Sequence, residues 1–154
     1  AVGLTMRVPA ADIVAALEGF HAASKRMEVI RIGDVTVLND TYNANADSAI
    51  AGLHTLAATS SRGKRIAVLA DMLELGEKSE EEHLKLLEIL KSLKPEKIFL
   101  VGSILQKISA GTDIKSFHDV EKLREYLKAE PLKGSLILIK GSRGMTLEKI
   151  YDLL

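Results

Sequence analysis

The stretch Leu136-Ile137-Leu138-Ile139 is apolar at every position, and Lys140-Gly141-Ser142-Arg143-Gly144-Met145 follows it directly. A strand with one face in water alternates apolar and polar residues, whereas a strand covered by helices on both faces stays apolar throughout. The run therefore predicts a central parallel strand of an α/β sheet. A second run of the same kind, Ile66-Ala67-Val68-Leu69, predicts another central strand.

Helical and strand patterns alternate along the rest of the chain. Strands are predicted at 27–32, 35–38, 65–70, 97–101, 114–117 and 135–139, and helices at 9–20, 48–58, 80–93, 104–108, 120–128 and 147–154. Gly33-Asp34 separates the first two β-branched runs and predicts a tight turn, so these two strands are expected to be antiparallel. The expected fold class is α/β: an open, three-layer, Rossmann-like and mostly parallel sheet with an antiparallel strand near its start.

The composition is that of one ordinary globular domain. The 154 residues are 47% hydrophobic and 27% charged, with Lys+Arg 21 balancing Asp+Glu 21 and no Cys. The balanced charge argues against a broad nucleic-acid surface, and the lack of cysteine excludes a disulfide scaffold, a thiolate metal site and a cysteine nucleophile. No apolar run has the length of a membrane span. We therefore expect no nucleic-acid or membrane partner and a cytoplasmic location.

Polar residues follow the second predicted strand, at 39–48, before the next helix begins. Ligands of open α/β sheets bind outside the carboxyl ends of the strands, so this segment is a candidate site. Asn45 or Asp47 is expected to cap the helix, since a cap requires only one such side chain. Three polar side chains remain without a capping role: Asp40, Tyr42 and Asn43. A ring beside amides and carboxylates suits a ribose or a purine.

A second candidate loop, Asp71 to Glu77, follows the third predicted strand and mixes two classes of side chain, carboxylates and apolar groups. Its apolar side chains can pack the loop onto the core, with Ser79 capping the next helix. His83, one turn further on, is interpreted as a packed or solvated helix residue rather than a base or a metal ligand.

The third candidate loop is the Lys140–Met145 segment after the last strand. Its two glycines allow backbone N–H groups to approach a ligand closely, and the expected helix start would favour an anion. An arginine such as Arg143 can bind a carboxylate or phosphate through two parallel hydrogen bonds. The segment therefore predicts an anion site.

A complete active site is not evident in these residues. The phosphate-binding loop G-x-x-x-x-G-K-[ST] is missing, because Arg62-Gly63-Lys64 precedes a strand instead of following one. No Ser/His/Asp constellation and no pair of histidines at metal-ligand spacing is present either. The pattern indicates half of an active site, with no catalytic residue and no metal ligand assigned to this chain.

At these loops the sequence resembles the carboxy-terminal domain of the Mur ligases, in the branch that handles D-alanyl-D-alanine. The resemblance rests on four stretches in the order typical of the family, together spanning about residues 26–148: Arg26–Val29, Asp40–Ser48, Asp71–Glu77 and Lys140–Met145. Ala46 stands where the family motif often has proline, and Lys25 and Ala70 stand where glycine is common.

The resemblance implies a three-domain cytoplasmic enzyme of peptidoglycan synthesis. Such an enzyme uses ATP and Mg²⁺ to join D-alanyl-D-alanine to a UDP-N-acetylmuramoyl tripeptide, through an acyl phosphate. It carries its phosphate loop and magnesium ligands in the central domain and holds the UDP moiety in the amino-terminal domain. Residues 1–23 would then be a terminal helix of the central domain, and residues 24–154 the carboxy-terminal domain. The partners implied are these two domains of the same polypeptide, the UDP-muramoyl tripeptide and the dipeptide, and the chain alone is expected to be inactive.

The same resemblance implies roles for eight side chains. Four are expected on the adenine and ribose side of the nucleotide: Asp40, Tyr42, Asn43 and Asn45. Four are expected to face the substrates: Asp71, Lys140, Ser142 and Arg143. Which substrate anion Arg143 meets stays open.

Two other classes of function compete with this reading. A phosphoacceptor receiver domain also has carboxylates after early strands and a lysine after the last, parts that Asp40, Asp71 and Lys140 could take with Ser103 as the hydroxyl. That scheme has no use for the polar cluster at 42–45 or for Arg143. The third possibility is an interaction domain whose loops serve only the fold.

Overall fold

The computed structural model describes residues 2–19 and 25–154. Within them one sheet has the strand order β1-β2-β6-β3-β4-β5. Its strands are β1 (Glu28–Ile32), β2 (Val35–Asp40), β3 (Arg65–Ala70), β4 (Lys97–Val101), β5 (Lys115–Phe117) and β6 (Leu136–Lys140). β1 and β2 are antiparallel, and all the other neighbouring pairs are parallel. The mostly parallel sheet with an antiparallel strand at its start confirms the predicted fold class.

The first hairpin forms where the sequence predicts it. Ile32 pairs with Val35 across a two-residue turn. Gly33 has φ 57°, a left-handed conformation that costs a glycine little because it has no Cβ. The tight turn sets the register of the pair and leaves the rest of the chain to build the parallel part of the sheet.

Helices cover the sheet on both faces. They are α3 (Ala46–Ala58), α4 (Ser79–Leu93) and α5 (Ser103–Ile108) on one face, and α6 (Val120–Ala129) with the 3₁₀ segment Leu147–Leu153 on the other. In β6, Leu136 and Leu138 belong to the first apolar core, and Ile137 and Ile139 belong to the second. Each of these four side chains is almost fully buried, and such burial stabilises the fold by about 1.5–3 kcal/mol per side chain. The three-layer prediction is confirmed.

Two predicted details around the helices are wrong. Ser79 does not cap α4: it is the first residue of that helix and follows a 3₁₀ turn at Gly76–Lys78. No α-helix begins after β6, where two 3₁₀ segments, Arg143–Met145 and Leu147–Leu153, meet at Thr146 instead. Thr146 has φ 48°, and this left-handed residue interrupts the right-handed backbone that an α-helix needs. The expected helix dipole at the anion loop is therefore absent.

Residues 2–19 form two short helices, α1 (Val2–Thr5) and α2 (Ala10–Glu18), neither of which has a buried residue. The predicted helix at 9–20 is observed at 10–18, and its apolar side chains Val14 and Leu17 are 51% and 69% exposed. Phe20, which the predicted stripe includes, and the proposed boundary at 23/24 lie outside the described residues. Over the ranges described, no helix combines the length and hydropathy needed to cross a membrane.

Candidate ligand site at the carboxyl edge of the sheet

The three candidate loops leave the same edge of the sheet. Asp40, the last residue of β2, lies opposite Lys140, the last residue of β6, and Lys140 in turn lies opposite Leu69 of β3. β6 is therefore inserted between the two strands that precede the other candidate loops. This order brings residues separated by 100 positions into direct contact.

A buried ion pair joins the first and third loops. The Lys140 ammonium donates to Asp40 Oδ2 at 2.6 Å and to the Asn43 carbonyl oxygen at 3.0 Å, and Lys140 is only 2% exposed. Asp40 Oδ1 accepts a bond from the Met27 amide at 3.2 Å. A buried ammonium needs such partners because it has lost its hydration. Lys140, predicted among the substrate residues, therefore lies with the predicted nucleotide residues.

An aromatic face opens beside this pair. The Arg26 guanidinium carbon lies 4.1 Å from the centroid of the Tyr42 ring, and Tyr42 is 42% exposed. The Tyr42 amide donates to the Lys25 carbonyl, so the entry segment and the loop are held together. An open pocket of about 320 Å³ is lined by Arg26, Met27, Asp40, Tyr42, Asn43, Ala44, Asn45, Ser48 and Lys140.

Arg26 is a pocket residue with no predicted site role. It lies 16 positions before Tyr42, on the other side of the hairpin. The antiparallel register of the hairpin is the signal that places Arg26 near Tyr42, since Glu28 pairs with Asn39 and so brings the residues before β1 to the end of β2.

Asn45 caps α3. Its Oδ1 accepts a bond from the Ser48 amide at 2.8 Å, and the Ser48 hydroxyl accepts one from the Asn45 amide at 3.2 Å. This reciprocal capping box selects Asn45, and not Asp47, from the two predicted caps. Asn43 and Asp47 are exposed.

Asp71 is directed into the fold. Its two carboxylate oxygens accept bonds from the amides of Ile104 and Leu105, at 3.0 and 2.9 Å, and the residue is 3% exposed. A carboxylate at this position satisfies free N–H groups of α5 and is favoured by the helix dipole. The backbone here approaches closely, because a Cβ on Gly102 would collide with this carboxylate. Asp71 builds the second loop, and its predicted contact with substrate has no support in this arrangement.

Ser142 ties the second loop to the third. Its buried hydroxyl accepts a bond from the Leu73 amide at 2.8 Å. The side chain of Leu73 also packs against Gly144, where an added Cβ would lie 2.9 Å from Leu73 Cδ1. The two loops therefore form one packed unit.

Arg143 is the exposed cation on that unit. Within the described ranges its guanidinium makes no hydrogen bond and no ion pair, although its charge acts on Glu148. Burial raises the pKa of Glu148, but the hydrogen bond from Lys25 at 2.7 Å, a backbone hydrogen bond, the charge of Lys25 and, least, the charge of Arg143 together outweigh it, so the pKa lies below its usual value. Arg143 therefore remains available to an anion from solvent.

The described residues form no candidate metal site. Across 2–19 and 25–154 no cluster of three or more His, Asp or Glu side chains could hold a metal ion.

Comparison with known proteins identifies the family. A family model described as the Mur ligase, glutamate ligase domain, matches residues 25–143. UDP-N-acetylmuramoyl-tripeptide--D-alanyl-D-alanine ligases are similar: that of Bacillus subtilis is 33% identical over 97% of this chain and 35% of its own length. That of Escherichia coli is 32% identical over 97% of this chain and 34% of its own length.

Solved structures agree with the sequence relatives. MurF from Acinetobacter baumannii superposes with a TM-score of 0.86 at 29% identity, over 99% of this chain and 34% of that one. MurF ligase from Thermotoga maritima, in complex with ADP, superposes with a TM-score of 0.80 at 26% identity, over 99% and 35%. The chain thus spans about a third of the length of the relatives it matches. Because the family model matches most of its residues, the chain belongs to the Mur ligase family, with residues 25–143 as its glutamate ligase domain.

Proposed function

We propose that this chain is the carboxy-terminal domain of an ATP-dependent ligase that adds D-alanyl-D-alanine to a UDP-N-acetylmuramoyl tripeptide in peptidoglycan synthesis. The names of the relatives support this assignment, since several of them are at least 30% identical over nearly the whole chain. The observation that carries it is geometric: an open pocket of about 320 Å³ lined by the Tyr42 ring and the exposed cation Arg143 lie on loops from the same edge of the sheet.

The residues of the pocket fit the adenosine half of ATP. Tyr42 offers a half-exposed ring on which a purine can stack, and the Arg26 guanidinium lies over the ring of Tyr42. Asp40 and Asn43 supply acceptor and amide groups of the kind that ribose hydroxyls bind. Asn45 lines the same pocket while it caps α3, so its proposed nucleotide contact is through the groups that the cap leaves free.

The residues of this chain do not fit the phosphate half of ATP. They include no phosphate-binding loop, and the described part contains no metal cluster. We therefore place the phosphate and Mg²⁺ sites in the central domain of the same polypeptide, which with the amino-terminal domain is the proposed partner of this chain. Exposed apolar side chains on residues 2–19 support the assignment of residues 1–23 to that central domain and residues 24–154 to this one.

Arg143 is proposed to bind a substrate carboxylate. When bound, ATP would supply the phosphoryl group that converts the tripeptide carboxylate to an acyl phosphate, leaving ADP; attack of the dipeptide amine would then form the amide bond, with release of inorganic phosphate and a proton. The carboxylate at the far end of the dipeptide takes no part in the reaction and can be held by a bidentate guanidinium. Lys140 and Ser142 act indirectly in this scheme, since Lys140 holds Asp40 and Ser142 holds Leu73.

The reaction is proposed to take place in the cytoplasm, where ATP and UDP-linked precursors occur. The isolated chain is proposed to be inactive, because it lacks the groups that would hold the phosphates.

The test is steady-state kinetics of the full-length enzyme with Arg143→Ala, and Lys149→Ala as the matched control for an exposed cation. We expect the KM for D-alanyl-D-alanine to rise about 10- to 100-fold, with little change in the KM for ATP, because charged hydrogen bonds contribute about 1.5–3 kcal/mol. A folded Arg143→Ala enzyme with unchanged kinetics would favour an interaction domain instead. A wild-type enzyme that does not use the dipeptide would contradict the proposed substrate.

The receiver-domain alternative has no support in the geometry. Its phosphoacceptor would be Asp71, but both oxygens of that carboxylate accept hydrogen bonds from backbone amides of α5. Its lysine would be Lys140, whose ammonium pairs with Asp40.

A further inference from the structure

His83 is a buried histidine to which the proposed reaction gives no role. It lies on α4 with no exposed surface. Its Nδ1 is 2.6 Å from the Ser79 carbonyl oxygen, and its Nε2 is 2.9 Å from the Met72 amide nitrogen. A carbonyl oxygen can only accept, so Nδ1 carries the proton, and Nε2 is left as the acceptor for the Met72 N–H. Of the two tautomers of the ring, these bonds fit the one with the proton on Nδ1.

Met72 connects this histidine to the third loop. The next residue, Leu73, donates its amide to Ser142 Oγ at 2.8 Å, and its side chain packs on Gly144. In the sequence, Arg143 lies between Ser142 and Gly144. Two hydrogen bonds, at the consecutive residues Met72 and Leu73, thus connect the imidazole to the segment that carries the exposed guanidinium.

The first three residues of the second loop, 71–73, are each held by a hydrogen bond to another part of the fold. Asp71 is held by the amides of α5, Met72 by His83 on α4, and Leu73 by Ser142. Three consecutive residues are each bonded to a different element. Of the three, only the bond of Met72 depends on a side chain that a single substitution can remove without touching either candidate loop.

We propose that His83 is a positioning residue: its imidazole accepts the Met72 N–H and fixes the Met72–Leu73 backbone, and through Ser142 it sets the direction of Arg143 toward the substrate carboxylate. This inference rests on the proposed function and names a residue that controls the same anion site without contacting ligand. A histidine that serves only core packing would affect stability and all kinetic constants alike. A positioning histidine affects the binding of the dipeptide selectively.

The experiment compares three variants of the full-length enzyme. His83→Leu removes the acceptor, His83→Gln can present Oε1 to the Met72 N–H, and His54→Leu removes an exposed histidine from α3 as the matched control. For each variant, KM for D-alanyl-D-alanine, KM for ATP and kcat are measured. Amide hydrogen exchange of the 71–75 segment is followed in parallel, without substrates.

We expect His83→Leu to raise the KM for the dipeptide about tenfold, since a buried N–H loses its acceptor, while the KM for ATP stays within about twofold. The exchange of the Met72 and Leu73 amides should become faster. His83→Gln should restore both measurements most of the way to wild type, and His54→Leu should change neither.

The proposal is overturned if His83→Gln is no better than His83→Leu, if both KM values rise together, or if neither value changes. Failure of both His83 variants to fold also overturns it, because His83 would then serve stability alone. If the wild-type enzyme does not use the dipeptide, the proposed function fails, and amide exchange by itself decides whether His83 fixes the loop.

Discussion

Lys140 and Asp40 form the last pair of the parallel ladder between β2 and β6, and their side chains make an ion pair of 2.6 Å in the lining of the candidate nucleotide pocket. The lysine is almost fully buried and the carboxylate is 14% exposed. The same ammonium also binds the Asn43 carbonyl oxygen, so one cation sets both the end of the strand and the loop after it.

Lys140→Met is expected to destabilise this chain by about 3 kcal/mol, because it leaves Asp40 without its partner at a poorly hydrated site. Urea denaturation followed by circular dichroism measures the change. Lys85→Met, which removes an exposed lysine 4.0 Å from Asp47, is the matched control and should leave stability unchanged. Equal stability of the two variants would show that the Lys140 pair contributes nothing net.

Gly102→Ala is expected to be strongly destabilising. Gly102 has φ 121°, where side chains are strained, and the new Cβ would meet the Asp71 carboxylate that caps α5. The strain and the collision each cost about 1–3 kcal/mol.

Gly111→Ala is the matched control for this substitution, since φ is 81° there but no atom lies within 4 Å of the added Cβ. It carries positive-φ strain without the collision, so the stability that Gly102→Ala loses beyond Gly111→Ala measures the collision together with the more extreme backbone conformation of Gly102. If both variants lose the same stability, the close approach of Asp71 to Gly102 is not significant.

Tyr151 makes the stability of the chain depend on pH in the alkaline range. Burial raises the pKa of Tyr151 from its ordinary value of 10 to about 12; the carboxylates Glu148 and Glu28 add to this, and the nearby Thr41 hydroxyl opposes it. Below about pH 10 the phenol is neutral in both the folded and the unfolded chain. Between about pH 10 and 12 only the unfolded chain releases the proton, so stability falls as the pH rises.

Tyr151→Phe should remove this part of the pH dependence and leave the remainder. The measurements are urea denaturation across this pH window and the tyrosinate absorbance of the folded chain. An absorbance difference between wild type and variant that develops near pH 10 would contradict a raised pKa.

Tyr42→Ala in the full-length enzyme is expected to raise the KM for ATP about tenfold, because stacking of a base on an aromatic ring contributes about 1–3 kcal/mol. Tyr42→Phe keeps the ring and should stay within about twofold of wild type. The KM for D-alanyl-D-alanine should change little in either variant. Equal effects of the two substitutions would assign the role to the hydroxyl, against the stacking proposed here.

Much of this architecture was predictable from local sequence. The apolar run in β6 predicts a strand buried on both faces, and Gly33-Asp34 predicts the hairpin, because burial and turn geometry act over a few neighbouring residues. The sequence could also predict which loops carry polar groups, since the carboxyl ends of parallel strands share an edge. The family resemblance, resting on four short stretches, is confirmed by the family model.

The partners of those polar groups were decided by tertiary structure alone. Lys140 meets Asp40, and Asp71 faces α5 instead of the pocket, because β6 enters the sheet between β2 and β3 and α5 begins beside the end of β3. Arg143 stays exposed while its neighbour Ser142 is buried. Local sequence determines whether a segment forms a helix, a strand or a turn. Hydrogen bonds between distant segments depend on strand order and packing, which no single segment determines.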